Sequence, residues 1–438
     1  MSALRHPRFR RLLIGESVSS FGDSAMFLSL GVWAKDLTHS NTAAGLVFLF
    51  LTGPQLVAPL LGHLVDRVGR RSLMIWSNVF GIALVLSLLG VSTRSDLWRL
   101  YVVAVGYALL SALPARTGLV KDLLPSEDTA SAQSLLSSID EGVRILSPIV
   151  GTGIYVSAGG GTLAIVDAAT FAVAIIALLS IRVTESPVED VTEPFARRVL
   201  AGFHHVRSTP LLRQLTLTFT AFLSVAGLLE TGLFAAIQYG IHRPPAFYGV
   251  LLSIQGAGTI VGAVIAPRVV RTLGEARTTG AGALVLALGM TVGIVAPSIA
   301  SFVVGMTLFG AALGTMFVAF GTARQLYTPS RLAGRVGAAM GTLMSLAQTV
   351  SIAVGAAIVG IVDWRLMFGL PAATAVACGL WVLARPAPAP AIVASIADAP
   401  VSTTESSTSA DEFPERVEAD HPAGHDAYDV VVPVEQAR

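Results

Sequence analysis

Charge is what this 438-residue chain has least of: only 13% of its residues are charged, where a water-soluble surface normally needs about a quarter. Lysine is almost missing. Lys35 and Lys121 stand alone against many arginines, alanines and glycines, the bias of a GC-rich bacterial coding sequence. The single cysteine, Cys378, lies inside an apolar block; it excludes an intrachain disulfide and reads as a small core residue. No basic run alternates with aromatics, so nucleic-acid binding has no support. There is no glycine-rich phosphate loop and no helical His-Glu-x-x-His, and His63 has no metal-spaced partner. ATP-driven chemistry, a metal site and a resident cofactor are all unexpected, and nothing in the chain reads as an enzyme.

What is abundant is apolar sequence. Hydrophobic residues make up 53% of the chain, and mean hydropathy is +0.71. They come in blocks of about twenty, the length that crosses a bilayer core of roughly 30 Å as a helix. Lipid offers no partner to backbone N–H and C=O groups, so such blocks are helices. Predicted spans cover 12–34, 43–65, 73–92, 99–118, 131–157 and 162–181, then 213–239, 246–267, 278–296, 299–322, 334–361 and 365–384. After Arg11 the first block is interrupted by Glu16 and Asp23 and continues to Trp33 with no small-residue cleavage site, which reads as a span and not a cleavable leader.

Basic residues set the orientation. With a cytoplasmic N-terminus, one side carries Arg5, Arg8, Arg10, Arg11, the arginines at 67, 70 and 71, Arg197, Arg207, Arg268, Arg271, Arg335 and others, while the opposite side carries Lys35, Arg94, Arg99, Arg243 and Arg365. Both termini are expected in the cytoplasm of a bacterial cell, the chain crossing the inner membrane many times. The expected fold is an all-α integral membrane protein of twelve transmembrane helices in two pseudo-symmetric six-helix bundles, residues 1–181 and 211–385. A cytoplasmic linker, 182–210, holds an amphipathic helix from about Phe195 to Val206. Beyond Pro386 the chain turns rich in Pro, Ala, Ser and acids, and 386–438 reads as a disordered cytoplasmic tail.

A weak internal repeat supports the division. Gly62-His-Leu-Val-Asp66-Arg67 ends the second span, and Gly262-Ala-Val-Ile-Ala266-Pro267-Arg268 ends its counterpart. Ala115-Arg116 before Leu124-Pro125-Ser126 is echoed by Ala323-Arg324 before Thr328-Pro329-Ser330. Repeat-built carriers place substrate near midplane, between halves that rock.

The segment Gly62-x-x-x-Asp66-Arg67-x-Gly69-Arg70-Arg71 resembles the loop motif of the major facilitator superfamily. It reads as a conformational latch. Gly62 lets the second span approach a neighbour such as span eleven, Gly69 permits a tight turn, Asp66 accepts hydrogen bonds or a basic partner, and the arginines hold the loop in the cytoplasm. Pro7-x-Phe9-Arg10, Ser19-Ser20-Phe21-Gly22-Asp23, Asp167-Ala-Ala-Thr170-Phe171 and Gln325-x-x-Thr328-Pro329 resemble the enterobactin-exporter-like and macrolide-efflux-like group. The resemblance covers about 5–385. Exporters of this superfamily often carry Gly-Pro-x-x-Gly-Gly in span five; here it reads Ser147-Pro148-Ile-Val-Gly151-Thr152-Gly153, which keeps a proline kink among small residues.

Ionisable groups at membrane depth mark paths for ions or substrates. Asp23 lies near the middle of span one with no base one turn away, and Glu230 lies deep in span seven, its counterpart. Both are candidates for proton coupling or substrate contact. Gln238, Gln255 and Gln348 are candidate cavity amides. Asp140 and Glu141 can each reach Arg144 on one face at i,i+4 and i,i+3; with Pro148 they suit packing or a gate, and Arg116 can pair with Asp66 or with a carboxylate of span five. Asp167 reads as a packing or capping residue toward the outer end of span six.

The resemblance implies secondary export of a small, partly hydrophobic compound (drug, antibiotic or siderophore) by a monomer driven by the proton gradient, whose partners are the substrate and the lipid bilayer. An importer or facilitator of the same fold is the alternative within transport. A membrane receptor or scaffold using the acidic tail is the alternative outside it.

Overall fold

A computed structural model describes residues 3–57, 69–111, 115–183, 195–329 and 332–385, and among these all regular structure is helical. Gly62, Asp66 and Arg67 of the loop motif, residues 184–194 of the linker and the tail 386–438 lie outside the described residues.

Helix α1 (Pro7–Thr38) opens with Pro7 in its first turn, where the missing N–H removes no hydrogen bond, and stops at His39 in a left-handed conformation (φ 54°). Ser40 Oγ accepts from Ala43 N to start α2 (Asn41–Thr52), which continues into a tighter turn, Gly53–Val57. Next come α3 (Arg70–Leu86), α4 (Leu97–Ser111), α5 (Ala115–Leu123) and α6 (Ser126–Leu179). The second half brings α7 (Phe195–Ser208), α8 (Pro210–Ala235), α9 (Phe247–Val295), α10 (Ile299–Leu326), α11 (Ala333–Ile358) and α12 (Trp364–Leu383). Among the described residues, seven helices are long and apolar enough to cross a membrane.

Two of these are far too long for one crossing. As one straight helix the 54 residues of α6 would extend about 80 Å at 1.5 Å per residue, nearly twice the full thickness of a bilayer. The helix breaks at Gly159 (φ 83°, ψ 166°), and α9 breaks likewise at Gly274 (φ 76°, ψ 166°). That region of backbone space is almost closed to residues with a Cβ. The connection expected at 268–277 is therefore a correction: the helix runs through Pro267 and ends only at Gly274. Backbone hydrogen bonds made within the helix serve Arg268 and Arg271 as well as a loop would, and only a glycine interrupts them.

Amphipathic α7 seats Val206 in the core and sets Gly202 against the Arg335 backbone, while Leu200 and Phe203 are exposed. His205 Nε2 lies 3.0 Å from the Tyr327 carbonyl.

The buried side chains form three cores. One draws on both halves, with Leu28, Trp33, Phe48 and Leu100 packed together with Phe234, Tyr248, Trp364 and Phe368. The other two are private: Phe9, Leu119 and Leu178 in the first half, Leu212, Phe219 and Met340 in the second. The shared core sits away from the start of α1 and the end of α12, and the private cores sit beside them. Small residues make the shared contacts possible. Gly45 meets Ala356 where α2 crosses α11, and Gly249 meets the Pro148 carbonyl where α9 crosses α6. Ser253 Oγ donates to the Ile145 carbonyl (2.6 Å) across the same α6–α9 contact. Among the described residues, the halves are thus joined at one end and parted at the other.

Candidate functional site

The parting encloses a cavity of about 1050 Å³ lined from both halves. On α1, Glu16, Ser20, Asp23 and Phe27 fall at intervals of four, three and four residues, so one face delivers all of them to the cavity. On α8, Phe222, Ala226, Glu230 and Leu233 do the same from the opposite side. Asp23 and Glu230, separated by more than two hundred positions in sequence, face one space. Gln255 of α9 and Gln348 of α11 line it as well, together with Arg116, Glu141, Arg144 and Pro148.

The two acids are held differently. Gln348 Nε2 donates to Glu230 Oε1 (2.9 Å), and the Tyr248 hydroxyl reaches the Glu230 backbone carbonyl (3.3 Å). Asp23 Oδ1 is buried without a hydrogen-bond partner among the described residues. Beside it lies Asp167, fully buried, which accepts from the Tyr107 hydroxyl and from Thr170 Oγ1 (3.2 Å). Gly22 is what lets α1 sit so close, because a Cβ there would run into the Asp167 carboxylate and the Thr170 hydroxyl. Asp167 is no cap at a helix end. It lies mid-helix in a hydrogen-bonded knot directly behind Asp23.

Arg116 makes a fork with Asp140, Nη1 to Oδ1 at 3.2 Å and Nη2 to Oδ2 at 2.5 Å, while Ser20 Oγ donates to Asp140 Oδ1 (3.2 Å). Glu16 Oε2 stands 3.9 Å from Arg116. Arg144 takes Glu141 (2.9 Å) at i,i+3, leaving Asp140 to Arg116. Of the partners open to Arg116 in the sequence, the described contact is the acid that follows span four into α6.

Gln238 is placed elsewhere. It accepts from Lys35 Nζ (2.5 Å), which also donates to Asn41 Oδ1 (2.6 Å), and it lines a separate recess of about 180 Å³ with His39, Phe234 and Arg243. Gln238 belongs to the joined end of the halves and not to the central cavity, because it sits two turns beyond Glu230 along the same helix direction. In the loop motif, Arg70 pairs with Asp122 (2.5 Å) and Arg71 Nε donates to the Leu178 carbonyl (2.8 Å), so both clasp elements of the first half. Gly69 precedes α3 with φ −54°, an angle any residue adopts, and its left-handed freedom is unused. Sequence reasoning passed over Glu16 and Tyr107. The signal for Glu16 was there: it precedes Asp23 by seven residues, two full turns on one face.

Over residues 1–435 the chain matches the family described as transmembrane secretion effector. The chain belongs to this family, within the major facilitator transporters. An uncharacterized MFS-type transporter, YfiS of Bacillus subtilis, is 26% identical over 78% of this chain and 85% of its own length. The multidrug efflux pump Tap of Mycolicibacterium fortuitum is 27% identical over 70% of this chain and 78% of its own. Among solved structures, a bacterial homologue of the iron transporter ferroportin in an inward-facing state covers 87% of this transporter and 99% of that chain with a TM-score of 0.67 at 17% identity, a likeness of fold. This major facilitator transporter is thus a multi-pass membrane protein whose halves enclose one large amphipathic cavity.

Proposed function

We propose that this transporter exports small amphipathic compounds by proton antiport, the halves rocking about the shared core to expose the cavity to each side in turn. The observation that carries the reading is that Asp23 and Glu230, one from each half, line a single cavity. A carboxyl group there can hold a proton or a positive ligand group, and each change of charge biases the balance between the two facings. The names of relatives favour efflux: Tap is a multidrug efflux pump, MdtG of Enterobacter lignolyticus a multidrug resistance protein, and CraA of Acinetobacter baumannii a chloramphenicol resistance protein.

Twelve crossings in two six-helix halves follow if α6 and α9 each cross twice, turning at Gly159 and Gly274, if α4 and α5 together cross once, and if the segment from Asn41 to the loop motif crosses once. The arginine-rich end then faces the cytoplasm of an inner membrane, with both termini and the tail. The working unit is a monomer that needs no cofactor beyond the proton gradient. In everted vesicles, added substrate should draw protons out along a preset gradient, and Asp23→Asn with Glu230→Gln together should abolish that flux. A flux that survives the double substitution removes the coupling assignment. Truncation before Pro386 should leave export intact, whereas a scaffold working through its tail would lose its interaction.

A further inference from the structure

The two walls of the cavity differ in kind, and the difference specifies a ligand. Beside Phe27, Phe48 and Phe171, the first half supplies serines, Asn78 and nearly all the charge. The second half supplies Phe222, Phe302, Met306, Phe309 and Phe317, with Glu230 as its single charged lining residue among those described. Charge on the walls is also unevenly spoken for. The two cavity arginines are committed, Arg116 to Asp140 and Arg144 to Glu141, and no lysine or histidine lines the space among the described residues. Among the described residues, an anionic ligand therefore meets only arginines that already have a carboxylate beside them. Asp23 has no ion-pair partner among the described residues, and Glu230 is held on one oxygen by a neutral amide, with no donor on Oε2 among those residues.

We propose that the cavity selects amphipathic organic monocations, with the positive group at Glu230 and the apolar body on the phenylalanine and methionine wall of the second half. The assignment rests on the transport reading above and names its substrate class. The geometry accounts for both parts of such a molecule. Phe222 lies two turns before Glu230 on the cavity face of α8, so a rigid apolar body reaching along that face brings its charge to the carboxylate. Aromatic faces attract a cation as well as an apolar surface, and methionine adapts to varied shapes. The amide of Gln348 fixes the carboxylate without neutralising it. At about 1050 Å³ the cavity is wide enough for a drug-sized molecule.

A pair of ions of the same shape and opposite sign isolates charge from size: tetraphenylphosphonium and tetraphenylborate. Equilibrium binding to the full chain in lipid nanodiscs, with empty nanodiscs subtracted, should show tetraphenylphosphonium bound at least about tenfold more tightly. Glu230→Gln should cost about tenfold in phosphonium affinity, and Glu230→Asp should retain most of it. Equal binding of the two ions, or unchanged phosphonium binding in Glu230→Gln, overturns the proposal. Should Glu230→Gln fail to fold, the wild-type chain still decides: phosphonium must protect Glu230 from carbodiimide modification, mapped by peptide mass, and failure to protect counts against it. Cation binding with no substrate-linked proton flux would remove the export reading and keep this site. Proton-linked export with no preference for cations would do the reverse.

Discussion

The cavity wall from the first half carries nearly all the charge, much of it internally paired, and the wall from the second half is mostly apolar with one carboxylate. On the first, Asp23 is backed by the Tyr107–Asp167–Thr170 knot, and Asp140 takes both the Arg116 fork and the Ser20 hydroxyl. On the second, Gln348 and Glu230 bridge α11 and α8 amid phenylalanines. One half thus presents a wall that pairs charges, and the other a wall that offers surface. The arginines of the first wall are paired with carboxylates, whereas the lone carboxylate of the second keeps one oxygen without a donor among the described residues.

The largest test of that contrast is Asp167→Ala. It strips a fully buried acceptor from Tyr107 while Thr170 keeps the Asp167 backbone carbonyl (2.7 Å), and stranding such a group costs about 1–3 kcal/mol, so the thermal midpoint in detergent should fall clearly. Gln348→Leu, whose lost partner faces the cavity and can be hydrated, should move it far less. Equal losses would dissolve the distinction between the walls. Next, Phe309→Ala should weaken binding of cationic and neutral apolar ligands alike by roughly fivefold, about 1 kcal/mol of apolar contact, while Ser24→Ala on the facing wall stays within about twofold; ligand titration by fluorescence quenching measures both. Smaller again is Arg144→Gln, because its pair with Glu141 is largely exposed and such pairs contribute about 0.2–1 kcal/mol. Arg116→Gln, which unlocks a fork, should exceed it in the same melting assay, and the opposite order would count against Arg116 as the structural member.

The smallest effect belongs to the joined end. Two equivalent turns are stapled by reciprocal caps, Thr93 with Asp96 before α4 and Ser298 with Ser301 before α10. The Thr93 hydroxyl, donating to Asp96, holds that carboxyl below its ordinary range, helped by backbone N–H groups of Thr93 and Ser92. A carboxyl whose pKa is lower when folded stabilises above its unfolded value, about 3.9, and loses that contribution as pH falls through the folded value. Asp96→Asn should therefore lower the melting midpoint slightly at pH 7 and leave it matched to wild type in strong acid. Ser301→Ala should show a loss with no such dependence. A pH-independent deficit for Asp96→Asn would remove the carboxylate from the account.

How far the sequence carried the argument depends on the scale of the feature. Helical class was legible because lipid leaves a backbone no alternative, and apolar blocks of a set length announce it. The shared face of Asp23 and Glu230 was half legible: depth follows from counting along a span, but one cavity joining the two acids requires helix packing. Gln238 shows the limit. Its type suits a cavity amide equally well, and only the position of Lys35 on α1 and Asn41 on α2 reveals that it belongs to the closed end. Of the two readings of Asp167, packing and capping, the structure agrees with packing. Counting places it toward one face of the membrane, yet its role is set by Tyr107, sixty residues away, and by a glycine that brings α1 against it. Long-range pairing of polar groups leaves no periodicity to read.

The shared core at one end also has a mechanical meaning. If the halves pivot there, each long helix is a lever with its fulcrum among Phe48, Phe234 and Tyr248. Helix α1 meets that fulcrum at Gly31, and the stretch back to Pro7 reaches about 36 Å at 1.5 Å per residue, so a tilt of about 10° carries the far tip about 6 Å. An angular change that barely disturbs the aromatic packing is thus multiplied into a displacement wide enough to admit or shut out a drug-sized molecule. The stiffness of that aromatic fulcrum, more than any group in the cavity, would then set how often the mouth opens.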